Sequence, residues 1–278
     1  MLRPLRYRAP AGPAYRKDGD PDMGHLKVTV NSEGIATVTF DRPPMNLFNY
    51  DVYNEFGDVF NALSEREDVF VVILNATGKN FSCGNDVAEL QKVCLDNIDE
   101  HYRIVGEGLG AIGACKKPTI AAVQGMAIGA GLAAPACCDV IIAADDASFF
   151  IPEITVGIIG ASEFLQVMVP KKIARYYAYT GKPIPAYKML QWGGVLELYP
   201  RKELDAAAMR IAQEMLARSS SIALSCFKQT MNDNEDDRLK EKFFHDGVYG
   251  KQFVVTDDYV ETARAFFEKR KPVYTGKK

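Results

Sequence analysis

Apolar and polar residues alternate from Leu26 to Val30 and again from Ile35 to Phe40, with Asn31-Ser32-Glu33-Gly34 between the two runs. Period-two patterning on both sides of a glycine-bearing turn predicts a β-hairpin. The second run stops at Asp41-Arg42-Pro43-Pro44, since a proline cannot donate to a strand ladder. From Tyr50 to Leu63 the period lengthens, and Val52, Phe56, Val59, Phe60 and Leu63 fall on one helical face. Val69–Leu74 is then apolar throughout, the mark of a strand covered on both sides. Strand, helix and strand in that order imply a right-handed crossover.

The stretch Asn80-Phe81-Ser82-Cys83-Gly84-Asn85-Asp86 reads as a tight loop, with Asp86 placed to cap a helix through Leu90. A helix is predicted over Ile98–Ala114, broken by Lys116-Lys117-Pro118. The segment from Thr119 to Gly160 organises the rest. It holds a buried strand Thr119–Val123, a turn at Gly125, a run of small residues, a compact alanine-rich helix and a second strand Asp139–Ala144. After Gly160 the patterning predicts helices to the end: Ala161–Val169, Lys172–Thr180, Ala186–Trp192, Glu203–Ala217, Ser221–Met231, Leu239–Tyr249 and Asp257–Lys269, with an acidic turn at Asn232–Asp237. The fold class expected is α/β, with a helical region from about Pro200. Three parts follow: an N-terminal extension over residues 1–22, a core over 23–199 and a helical region over 200–278. The extension is rich in Pro, Arg and Gly without a repeating apolar face, and disorder is expected there.

Composition narrows the chemistry. With 47% hydrophobic and 25% charged residues, the 278-residue chain has the balance of a globular protein able to bury a full core. A net charge of −3 gives no nucleic-acid footprint, so anion recognition must be local. No apolar run approaches the roughly 18–20 residues of a membrane span. The six cysteines contain no CxxC pair and read as reduced, buried thiols of a cytoplasmic protein. The three histidines have no partner at metal-ligand spacing, and no metal is expected.

Within Thr119–Gly160, Gly129, Ala130 and Gly131 precede the alanine-rich helix. Small residues there let the backbone approach a ligand, and a helix N-terminus offers unpaired N–H groups to a negative oxygen. Glu153 follows among Phe149, Phe150, Ile151 and Ile154. Apolar surroundings should raise its pKa towards the working pH, as suits a general base. A cap or an ion-pair partner is its non-catalytic alternative.

Five motifs in order, Asp41-Arg42-Pro43-Pro44-Met45-Asn46, Phe81–Asp86, Lys117–Gly131, Cys138–Glu153 and Phe266–Gly276, make the chain from about Leu26 onward resemble the crotonase superfamily, the enoyl-CoA hydratase/isomerase family. The resemblance implies a crotonase-like fold of repeated ββα units, closed by a helical C-terminal region that serves assembly into trimers or hexamers. It implies an acyl-CoA substrate, as in fatty acid metabolism, and no cofactor beyond the coenzyme A that the substrate carries. The thioester oxygen would sit between the backbone N–H groups of Asn85 and Ala130. Preorganised donors of this kind contribute about 2.7–4 kcal/mol each to a developing oxyanion.

Hydratases of the family use two glutamates. The resemblance places one at Glu153 and the other at Ala133, which cannot carry a proton. A single carboxylate suits a Δ3-Δ2-enoyl-CoA isomerase, which takes a proton from C2 and returns it at C4. The alternatives are a hydratase that recruits Glu163, in a loop shorter than the family's, and a non-catalytic acyl-CoA binder. Ser82, Gly84 and Asp86 in the tight loop, Arg42 after the hairpin, and Phe266 and Lys269 near the C-terminus, with Lys271 assisting, are the candidates for contacts with coenzyme A. His101 and Tyr102 are candidates for lining the acyl pocket, with solvated positions as the alternative.

Overall fold

The computed structural model describes residues 24–235 and 239–276. The expectation for residues 1–22 and the last part of the acidic turn lie outside the described residues.

The hairpin pairs β1 (Leu26–Val30) with β2 (Ile35–Phe40), antiparallel. Its turn closes because Asn31 Oδ1 accepts from the N–H groups of Glu33 and Ile35. Helix α1 (Tyr50–Glu65) starts where Asn49 caps the N–H of Val52, and β3 (Val71–Ala76) returns parallel to β2. Two helices follow, α2 (Val87–Leu90) and α3 (Ile98–Ala114), and then β4 (Thr119–Val123). The next units are β5 (Met126–Ile128) with α4 (Ala130–Ala136), β6 (Val140–Ala144), β7 (Ser148–Phe150) and α5 (Ser162–Met168). The chain continues through α6 (Lys171–Thr180), β8 (Ile184–Pro185), α7 (Ala186–Trp192) and β9 (Glu197–Tyr199). It ends with α8 (Leu204–Arg218), α9 (Ser221–Asn234), α10 (Leu239–Val254) and α11 (Asp257–Phe267).

Six strands form one sheet in the order β1-β2-β3-β4-β6-β9, parallel except for the first pair, and β5, β7 and β8 form a second. Strands β4 and β5 therefore leave one sheet and enter the other across Gly125 within a few residues. The continuous apolar run of β3 is explained by burial on both faces. Val72 and Leu74 join the larger core, while Val71 and Ile73 pack with Ile120, Ile142 and Leu204, Ala207 and Ala208 of α8. The larger core contains the stacked rings of Phe48, Phe56 and Phe60, with Phe40 edge-on to Phe48 and Phe56.

Two expectations are corrected. The chain after Gly160 is not helical throughout, since β8 closes the second sheet and β9 adds an edge strand beside β6. Two or three residues are too few to show a period, and β9 hides behind Gly193-Gly194. The thiols are also not uniformly buried. Cys115 and Cys137 are buried, whereas Cys94 and Cys226 are exposed; all six are free.

Candidate active site

The loop before α2 is stitched to β5 by main-chain bonds. Phe81 N–H donates to Gln124 O at 2.8 Å, Ser82 N–H to Met126 O at 3.1 Å, and Ile128 N–H to Ser82 O at 3.0 Å. Gly84 is in the left-handed region (φ 86°), and a Cβ there would stand 2.8 Å from Ile128 O. Only glycine lets the loop lie this close to the strand. Among the described residues, the N–H groups of Asn85 and Ala130 have no backbone acceptor. Ala130 is the first residue of α4, where N–H groups have no partner within the helix.

Both residues line one cavity together with Ala133, Glu153 and Tyr53. Leu109, Phe164 and Phe243 supply much of its apolar wall. Glu153 opens a 3-10 turn, Glu153–Thr155, and is 8% exposed. Its Oε2 is buried without a hydrogen-bond partner. Burial pushes its pKa up to about 8. A carboxyl poised there can accept a proton near neutral pH, and the two residues whose N–H groups have no backbone acceptor among the described residues line the same space. Ala133 is buried on α4 and brings no titratable group.

Glu163 does not line this cavity. It lies on the first turn of α5 with both carboxyl oxygens buried and unpartnered. Burial raises its pKa, and the Asp246 carboxyl of α10 raises it further. Asp246 Oδ2 lies 3.5 Å from where a Cβ on the cavity-lining Gly160 would be. The acid pair therefore stands behind the wall.

The remaining candidates are separate from the cavity. Ser82 is fully buried, and its hydroxyl donates to Asn46 O (2.6 Å) while accepting from Gly84 N–H (3.1 Å). The hydroxyl is occupied in holding the loop. Asp86 accepts from Ala88 N–H as the cap of α2. Arg42 Nη1 donates to Leu47 O at 2.8 Å. Phe266 borders a neighbouring apolar groove with Val87, Leu90 and Tyr259, which meets the first cavity at Ile158. Lys269 is exposed just beyond α11 with φ 51°, and Lys271 is exposed in the tail.

His101 and Tyr102 both face the cavity and are buried, not solvated. Sequence reading missed Tyr50 and Tyr53. Tyr53 Oη donates to Asn85 Oδ1 at 2.5 Å, and Tyr50 Oη lies 3.1 Å from His101 Nδ1. The signal available was two tyrosines three apart at the start of α1, where one helical face carries aromatic bodies with polar tips.

The enoyl-CoA hydratase/isomerase family model matches residues 30–277. The chain belongs to the enoyl-CoA hydratase/isomerase family. Its relatives divide in reaction. A (7aS)-7a-methyl-1,5-dioxo-2,3,5,6,7,7a-hexahydro-1H-indene-carboxyl-CoA hydrolase of Rhodococcus jostii is 30% identical over 85% of this chain and 94% of its own length. A mitochondrial Delta(3,5)-Delta(2,4)-dienoyl-CoA isomerase of Dictyostelium discoideum is 28% identical over 91% and 92%. An enoyl-CoA hydratase structure from Mycobacterium avium subsp. paratuberculosis superposes with a TM-score of 0.76 at 27% identity, covering 91% of this chain and 99% of that one. The crotonase-like α/β fold expected from the motifs is the fold of this family member. The family covers hydratase and isomerase chemistry alike, so the choice between them rests on the cavity.

Proposed function

We propose that this chain is an acyl-CoA enzyme of the oxyanion-stabilised enolate type and isomerises 3-enoyl-CoA to 2-enoyl-CoA with Glu153 as its base. The thioester oxygen accepts from the Asn85 and Ala130 N–H groups. The Glu153 carboxylate removes a C2 proton, and the electron pair moves into the enolate. The same carboxyl, now protonated, delivers the proton to C4, and the double bond comes to lie between C2 and C3. No water is consumed, so one carboxyl suffices.

The observation that carries this reading is that, among the described residues, Glu153 is the one carboxyl lining the cavity, while Ala133 lines it without a titratable group. A dienoyl-CoA isomerase among the relatives is consistent with it. Arg42, Phe266 and Lys269 remain the proposed contacts for coenzyme A. Trimeric or hexameric assembly belongs to the same proposal, supported by the apolar side chains that α9 leaves open, Ile222 at 75% and Phe227 at 70% exposure. The second reading, a hydratase using Glu153 with Glu163, is favoured by the buried, unpartnered acid directly behind the wall. It requires Glu163 to turn into the cavity.

Purified protein assayed on 3-enoyl-CoA and on 2-enoyl-CoA tests both. Isomerisation that is abolished by Glu153→Gln and kept by Glu163→Ala is the expected result. Hydration that is lost in Glu163→Ala would reject the single-base mechanism. Acyl-CoA binding without turnover in the unmodified protein would leave only a binder.

A further inference from the structure

Isomerisation by one base uses Glu153 and two backbone donors, yet the cavity presents more polar chemistry than that. His101 is 5% exposed and lines the cavity from α3. Asn85 lines it from the loop before α2. Each is held by a tyrosine of the first turn of α1: Tyr50 at His101 Nδ1 (3.1 Å) and Tyr53 at Asn85 Oδ1 (2.5 Å). Residues three apart on a helix are neighbours on its surface, so the two anchoring tyrosines stand side by side.

The anchoring decides which atoms remain. Tyr53 donates to the carbonyl oxygen of the Asn85 amide, which leaves the amide NH2 without an acceptor among the described residues. Tyr50 Oη stands at His101 Nδ1, and with Tyr50 as the donor the imidazole proton sits on Nε2. Burial keeps this ring neutral, with its pKa lowered to about 4. The tyrosines are held protonated as well, Tyr50 pushed up to about 12 by burial. Asn85 and His101 thus line a cavity that also holds the apolar side chains of Val105, Leu109 and Phe243, with Glu153 as its acid. Neither Asn85 Nδ2 nor His101 Nε2 has an acceptor among the described residues, and a ligand oxygen would supply one. The side chain of Asn85 cannot lie far from its own backbone N–H, so the oxygen it reads belongs to the acyl chain near the thioester.

We propose that Asn85 Nδ2 and His101 Nε2, positioned by Tyr53 and Tyr50, form a subsite for a carbonyl oxygen on the acyl chain, making oxo-acyl-CoA esters the substrate class. This rests on the acyl-CoA reading given above and narrows it. Neutral donors favour an oxo group without demanding a charged one. The apolar wall accepts the rest of the chain.

The test is calorimetric binding of hexanoyl-CoA and of its 3-oxo, 4-oxo and 5-oxo derivatives to the full chain, to His101→Leu and to Tyr53→Phe. At least one oxo ester should bind the unmodified protein about tenfold or more tighter than hexanoyl-CoA, as two added hydrogen bonds of ordinary strength would give. The ratio should fall below about threefold in either variant. A merely structural role would weaken all four esters together and leave the ratio alone. No preference for any oxo ester, or a preference unchanged in both variants, overturns the proposal. The two variants give the same reading, so misfolding of one leaves the test intact. Failure of every ester to bind would instead remove the acyl-CoA reading, and this proposal with it.

Discussion

The Glu153 carboxyl rests on the bare α-carbon of Gly129: a Cβ there would stand 2.1 Å from Glu153 Oε1. Gly129 also has φ 53° with ψ −115°, a conformation that L side chains rarely adopt. Gly129→Ala should therefore displace the base and strain the start of α4 at once. Turnover is expected to fall by about 100-fold, the scale of a misplaced reacting group. Chemical denaturation should show a loss of about 1–3 kcal/mol.

Glu153→Gln keeps the shape and removes the proton acceptor. The expected loss in kcat is about 10²–10⁴-fold, the contribution of a general base. In the unmodified enzyme only the ionised carboxyl can take a proton. With the pKa raised to about 8 by burial, kcat/KM should climb with pH and level off above that value. A profile that is flat from pH 6 to 9 would remove Glu153 from the proton transfer.

The same burial has a stability consequence of opposite direction. Between its ordinary 4.5 and about 8, folded Glu153 holds a proton that the unfolded chain has released. Its contribution is fully present below pH 4.5 and is lost as pH rises towards 8, by about 1.4 kcal/mol per unit. Glu153→Gln cannot ionise. Its stability relative to the unmodified protein should improve by a few kcal/mol from pH 5 to pH 8 in urea titrations.

Lys228 of α9 reaches under the sheet. Its Nζ lies 2.8 Å from Asp139 Oδ2 and donates to Lys117 O at 3.0 Å, with the side chain 5% exposed. Lys228→Met leaves Asp139 with only the Thr119 donors. Breaking a buried pair from one side is costly, and about 2–4 kcal/mol of destabilisation is expected by denaturant melting, with Asp139 at 31% exposure moderating the loss.

Long periodic segments were legible before the structure. Ile98–Ala114, Thr119–Val123 and Ala186–Trp192 begin and end where the patterning put them, because caps, prolines and glycines mark their ends. The short strands β8 and β9 were not, since their pairing with β7 and β6 depends on contacts far along the chain. At the site, Glu153 stood out as an acid among apolar residues. Tyr53 did not, because its buried ring fits the core face of α1 and its hydroxyl bond to Asn85 spans 32 residues. Glu163 shows the converse limit. Proximity in sequence to the glycine-bearing loop gives no information about which side of the cavity wall its carboxyl takes.

The bridge between Ser82 and Ala127 ties the loop that carries Asn85 to the strand that leads into Ala130. The spacing between the Asn85 and Ala130 N–H groups is then held by strand pairing, with the Ser82 hydroxyl fixing the turn between. A survey that exchanges one side chain at a time leaves both N–H groups in place and so passes over them. Replacing a peptide bond there with an ester, which deletes a single N–H, is the perturbation that would expose them.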